Sequence, residues 1–95
     1  MTVLSCLLAS GLRQNVLRAL SHKGETGVTN LAKEAHTTHV ELMRNLRILE
    51  GYGIVSFRRS VRRVYVSLNF ENDNTKIVLE ALDLLDSHKP LKHLS

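Results

Sequence analysis

The chain lacks most of the parts that small proteins use as staples or as chemical machinery. One cysteine, Cys6, stands among 95 residues, so no internal disulfide can form, which fits a reducing compartment. Five histidines are present, but no Cys-x-x-Cys or His-Glu-x-x-His spacing occurs. His36 and His39 flank a break between helices, and His88 and His93 straddle Pro90, so neither pair builds a ligand set. No metal and no cofactor is expected. A phosphate-cradling glycine loop, a nucleophile elbow and an inward-pointing pair of carboxylates are missing too, which argues against an enzyme. No apolar run reaches the ~18 residues needed to span a bilayer. Val3 to Ala9 lacks the basic start and cleavage region of a signal peptide, so a soluble cytoplasmic protein with no membrane partner is expected. Tryptophan is absent and only two tyrosines and two phenylalanines occur; Leu, Val and Ile carry the apolar load, which fits a mainly helical core.

The hydrophobic fraction, 43%, is that of an ordinary globular domain and argues against disorder. The length allows one domain, residues 1–95, with a modest core. The net charge is +4, and it is unevenly spread. Residues 1–70 hold ten Lys/Arg against four Asp/Glu, a balance of +6, whereas residues 71–95 hold three against five, a balance of −2. The basic surplus in the first three quarters favours a polyanionic partner.

Hydrophobic spacing gives the order helix, helix, helix, strand, strand, helix. Val3 to Ala9 is apolar but short, and reads equally as a strand or as a helical turn. Ser10 is a candidate N-cap for a helix over 10–22, with Leu12, Val16, Leu17 and Leu20 on one side and Lys23-Gly24 closing it. An extended link, Glu25 to Val28, leads to Thr29 as the cap of a short helix over 30–36, broken at Thr37-Thr38. Thr38 with Glu41 matches a capping box, and Leu42, Leu46 and Leu49 then recur on one face of a helix over 38–52 that ends at Gly51 and Gly53. Two β-rich runs, Ile54 to Phe57 and Val64 to Leu68, flank Arg58-Arg59-Ser60-Val61-Arg62-Arg63 and read as a hairpin over 54–68. A last helix is expected over 74–88, limited by Pro90.

A short helix, a tight break and a longer helix over about 29–52 match the helix-turn-helix order, in which the second helix offers its exposed face to the major groove. Opposite the leucines of 38–52 lie Val40, Met43, Arg44 and Arg47, with His39 and Glu41 near the N-terminal end and the cap Thr38 able to contact a phosphate as well. Arg44 can donate to a guanine edge or a phosphate, His39 can donate or accept, and Val40 and Met43 could touch thymine methyls; the two apolar residues could equally meet a protein partner or the core. Here the sequence resembles a family. Ser10-Gly-Leu-Arg-Gln-Asn-Val-Leu-Arg-Ala-Leu20 is similar to the first-helix signature of winged-helix regulators of the ArsR/MarR type. Thr38 to Val55, ending Leu46…Leu49-Glu50…Gly53-Ile54-Val55, resembles their recognition helix and the approach to the wing. The resemblance covers about residues 10–68 and implies a prokaryotic transcriptional regulator, usually a homodimer. With no Cys-x-Cys pair on any helix, the metal sensing of ArsR proteins is not carried over.

The fold class expected is thus α+β, mainly α: a winged helix-turn-helix of three core helices and a β-hairpin wing, followed by a dimerisation helix. Arg58, Arg59, Arg62 and Arg63 lie within six residues with no acid among them, which suits the phosphate backbone or a narrow minor groove better than simple protection of a sheet edge. On the last helix Ile77, Val78, Ala81, Leu82, Leu84 and Leu85 fill an arc wider than a monomer of this size can cover, which points to pairing with a second copy, chiefly through Ile77, Val78, Ala81, Leu82 and Leu85; the alternative is a helix wrapped on its own domain, against Val3 to Leu8. The functional expectation is a homodimer that binds double-stranded DNA, associated with the nucleoid, as a transcriptional regulator. Two rivals stay open: a winged-helix module for protein contacts in the transcription machinery, and an architectural binder with little sequence preference.

Overall fold

A computed structural model describes residues 2–87. Five helices and three short strands follow in the order α1 (Val3–Leu8), α2 (Gly11–Lys23), β1 (Thr26–Gly27), α3 (Val28–Glu34), α4 (His39–Gly51), β2 (Val55–Arg59), β3 (Val64–Leu68) and α5 (Asp73–Ser87). The strands form one antiparallel sheet in the order β1-β3-β2. The expected mainly helical winged fold is the one observed. Val3 to Leu8 resolves as helix, capped by Thr2, whose hydroxyl accepts from the Ser5 N–H.

Local chemistry sets most boundaries. The Ser10 hydroxyl accepts from the Arg13 N–H at 3.2 Å and starts α2. Gly24, at φ +76°, ends it. The Thr38 hydroxyl accepts from the Glu41 N–H at 3.1 Å and starts α4. Helices α3 and α4 both close with the same paired hydrogen bonds. At the end of α4, Gly53 N–H donates to Glu50 C=O and Ile54 N–H to Leu49 C=O. At the end of α3, His36 N–H donates to Lys33 C=O and Thr37 N–H to Ala32 C=O. This Schellman closure needs a left-handed residue at its centre. Gly53 supplies it at one end; His36, at φ +54°, supplies it at the other. Helix α3 therefore ends at Glu34, two residues short of the expected 30–36, and the chain turns at His36 rather than at the Thr37-Thr38 break.

Two further expectations change. Thr29 is not a cap: α3 begins at Val28 behind Gly27, with no side-chain capping bond. The link before it is not merely extended but forms β1, which pairs Thr26 with Val66 and Gly27 with Tyr65. The hairpin thus becomes two strands of a three-stranded sheet.

The core is one cluster. Val16, Leu17 and Leu20 of α2 meet Leu31 of α3, Leu42, Leu46 and Leu49 of α4, and Ile54, Val55, Val66 and Leu68 of the sheet side. Val78 and Leu82 of α5 also join it, beside Cys6 and Leu7 of α1. This corrects the pairing role expected of Val78 and Leu82, for which the alternative of a helix wrapped on its own domain holds. Val78 and Leu82 are buried inside their own chain, because α1 folds across that stripe, and they are not available to a second copy. The N-terminal turn of α5 is tied to the α4–β2 corner, where Asn74 Nδ2 donates to Tyr52 C=O at 2.9 Å.

A polar knot runs through this packing. Arg13 Nη1 donates to the Cys6 carbonyl at 2.8 Å, and Asn45 Nδ2 donates to the Glu41 carbonyl at 2.9 Å. No buried side-chain polar atom lacks a partner among the described residues.

Candidate nucleic-acid interface

The cap at Thr38 fixes the start of α4, and the leucine face fixes its rotation. With Leu42, Asn45, Leu46 and Leu49 facing inward, Val40, Arg44 and Arg47 occupy the outermost ~60° of the helix. All three are exposed, Val40 to 68%. Met43 is not on that outer face. It lies on the flank, half-buried against the core, which is one of the outcomes the sequence left open for it. His39 lies on the same flank and turns toward the wing, lining a groove there.

The wing is shaped by its register. Strand β2 pairs Phe57 with Val66, Arg58 with Tyr65 and Arg59 with Val64. The strands therefore run through Arg59, and the tip is Ser60 to Arg63, closed by the Ser60 N–H on the Arg63 carbonyl at 2.8 Å. Val61 is 96% exposed at this tip, beside Arg62 and Arg63.

Arg58 and Arg59 are neighbours in a strand and point to opposite faces. Arg59 shares its face with Val64, which lines the groove beside α4. Arg58 turns the other way. Its Nε and Nη2 reach the Glu25 carboxylate at 3.0 and 2.8 Å, and its guanidinium lies 4.5 Å from the centre of the Tyr65 ring. The hydrogen bonds from Arg58 hold the Glu25 carboxyl below its usual range, and those to Glu25 raise the guanidinium above its own. The structure thus does not bring Arg58 to the groove; it braces the wing against the segment before β1.

The groove, about 540 Å³, lies between α3, the start of α4 and the wing. Its walls carry His39, Arg62, Arg63 and Val64, and also Thr29, Asn30 and Lys33 of α3. Sequence reasoning missed the last three as site residues. Thr29 reads as a cap, and only the packing of α3 against β1 and α4 shows that its outer side faces the wing. The lining holds no carboxylate. Lys33, Arg62 and Arg63 together make it a basic concave surface, with Arg44 and Arg47 on the adjoining ridge of α4.

A second surface is entirely apolar. Leu4 and Leu8 of α1 and Ala81, Leu84 and Leu85 of α5 line a shallow groove of about 260 Å³. Ile77 and Leu85, expected on the pairing face, are exposed, and Ala81 is half-buried. Leu84 lies on the arc expected from the sequence, and Leu4 and Leu8 are the additions; α1 is too short for its outward side to be read from the sequence. Among the described residues, no cluster of three or more His, Cys, Asp or Glu is placed to hold a metal ion, and no helix is long and apolar enough to cross a membrane. His88, His93 and Pro90 lie outside the described residues.

No family profile matches the chain, and no curated protein matches it in sequence. Solved structures do. NolR from Sinorhizobium fredii is 28% identical at a TM-score of 0.71, over 86% of this chain and 78% of its own. The homodimeric winged helix-turn-helix DNA-binding domain Mb0332 from Mycobacterium bovis, a possible ArsR-family transcriptional regulator, is 28% identical at 0.75, over 96% and 80%. The transcriptional repressor BigR from Xylella fastidiosa, at 22% identity and 0.71 over 86% and 81%, shares the fold. The chain is a winged helix-turn-helix domain resembling those of transcriptional regulators of the ArsR and MarR-like type.

Proposed function

We propose that this chain is a homodimeric transcriptional regulator that binds double-stranded DNA, with α4 in the major groove and the wing on the backbone or in the minor groove. One observation carries the reading. Lys33, His39, Arg62 and Arg63 come from three separate elements and converge on a single concave surface free of carboxylates. A phosphate backbone is the partner whose shape and charge suit that surface. Val40, Arg44 and Arg47 on the ridge would then meet base edges, and Thr38 and Arg59 the flanking phosphates. The similar solved structures are those of regulators, which supports a non-enzymatic role.

The apolar groove between α1 and α5 supports pairing with a second copy. Leu84 and Leu8 are each 59% exposed, and the Mb0332 domain is homodimeric. A two-fold pair would set two reading helices about one DNA turn apart, and the preferred site would be palindromic.

Titration of duplex DNA against salt tests the DNA reading. Affinity is expected to fall steeply as salt rises, and Arg62→Ala to lower the slope by about 1 while weakening every sequence alike. Binding indifferent to salt would favour the protein-contact module. Equal affinity for all sequences with a steep slope would favour the architectural binder.

A further inference from the structure

Arg58 being turned away onto Glu25, the arginines of α4 and the wing left on the proposed DNA side fall into two classes. Arg47, Arg59, Arg62 and Arg63 have no carboxylate partner among the described residues. Arg44 does: its Nη1 donates to Glu41 Oε2 at 2.6 Å, one helical turn back on α4. Both side chains are exposed, so the pair contributes little to stability. Glu41 stands on the half-buried flank of α4 next to Arg44, where a carboxylate also repels nearby phosphates, so the pair calls for another use.

We propose that Glu41 is a specificity-determining residue, which fixes Arg44 as a fork for guanine and selects an amino-bearing base, cytosine or adenine, next to it. The inference rests on the DNA reading given above. Free arginine side chains adapt to whatever acceptor is near, phosphates included. Held by Glu41, the Arg44 guanidinium is pre-oriented and its charge is locally balanced, so it gains little from backbone phosphate. The planar fork still matches guanine O6 and N7. The carboxylate only accepts. In the major groove, cytosine N4 and adenine N6 donate, while guanine O6 and N7 and thymine O4 accept and would face it unfavourably. The salt-sensitive affinity falls to Lys33, Arg59, Arg62 and Arg63, and the discrimination at this step to the Glu41–Arg44 pair.

Site selection from random duplexes, run with the full chain and with Glu41→Gln and Arg44→Lys, tests this. The Glu41→Gln change keeps the backbone N–H that Thr38 caps, so α4 keeps its start. The parent is expected to select a guanine flanked by cytosine or adenine. Glu41→Gln is expected to bind mixed-sequence DNA as tightly or more tightly, while its preference at that step falls about tenfold. Arg44→Lys is expected to keep the salt slope and to weaken the guanine preference, since a single ammonium replaces the planar fork. An unchanged motif in either variant, or a parent motif without the guanine, would overturn the role of Glu41. Parent binding that ignores salt would overturn the DNA reading itself, and this inference with it.

Discussion

Arg13 Nε donates to Asn45 Oδ1 at 2.9 Å and joins α2 to the buried side of α4. Asn45 is 6% exposed, in the midst of the leucines that fix the rotation of α4. The same guanidinium holds the Cys6 carbonyl at the end of α1. One side chain thus ties three helices.

Removing that tie is expected to cost more than a surface change. Asn45→Leu leaves the Arg13 Nε–H without its acceptor, and Arg13→Met leaves both Asn45 Oδ1 and the Cys6 carbonyl short of a donor. Each should lower stability by about 1–3 kcal/mol. Urea unfolding of the variants beside the parent measures the loss; a change under a few tenths would mean that water replaces the bonds freely.

His36 sits at the left-handed position of a helix closure that glycine fits better. His36→Gly is expected to stabilise the domain by about 1 kcal/mol, or a rise of ~4–8 °C in Tm for a domain of this size. Calorimetry of both chains decides it. A fall in Tm would mean that the imidazole makes a contribution the backbone geometry does not reveal.

The Glu25–Arg58 pair makes the wing brace pH-dependent. The folded carboxyl is lowered from its ordinary value, chiefly by the hydrogen bonds from Arg58. A lowered carboxyl stabilises the folded state above its unfolded pKa, and that contribution is lost as pH falls through the folded value. The stability of the parent relative to Glu25→Gln should therefore be greatest near neutrality and shrink below the usual carboxylate range. Paired denaturation curves across acid pH check the sign, and a difference that grows on acidification would contradict it.

The apolar groove supplies a fourth expectation. Leu84→Glu places a charge where Leu4, Leu8 and Leu85 meet. Light scattering should show a dimer for the parent and a monomer for the variant, with the circular dichroism of the two alike, since Leu84 is outside the core cluster. A monomeric parent would remove the second copy from the proposal.

Much of the scaffold was legible in the sequence because it depends on neighbours in the chain. Ser10 and Thr38 cap helices through N–H groups three residues on, and Leu42, Leu46 and Leu49 share a face by helical period alone. The misreadings depend on partners far along the chain. Thr26 and Gly27 are a strand only because β3 lies beside them. Arg58 leaves the groove because a carboxylate 33 residues away claims it. Val78 and Leu82 are core because the short α1 covers them. For the site, periodicity found Val40, Arg44 and Arg47, while Thr29, Asn30 and Lys33 became visible only when α3 and the wing were set face to face.

The two-residue strand β1 has a mechanical consequence. It is hydrogen-bonded to the wing at Val66 and Tyr65, and α3 begins at the very next residue. Swinging the hairpin outward would pull on the start of the helix-turn-helix. The hairpin and the pair α3–α4 are thus joined through one short strand, like the jaws of a caliper at their hinge. Under the DNA reading proposed above, a duplex of the wrong width would meet both jaws together, and part of the bending would fall to the nucleic acid, whose sequence sets how readily it yields.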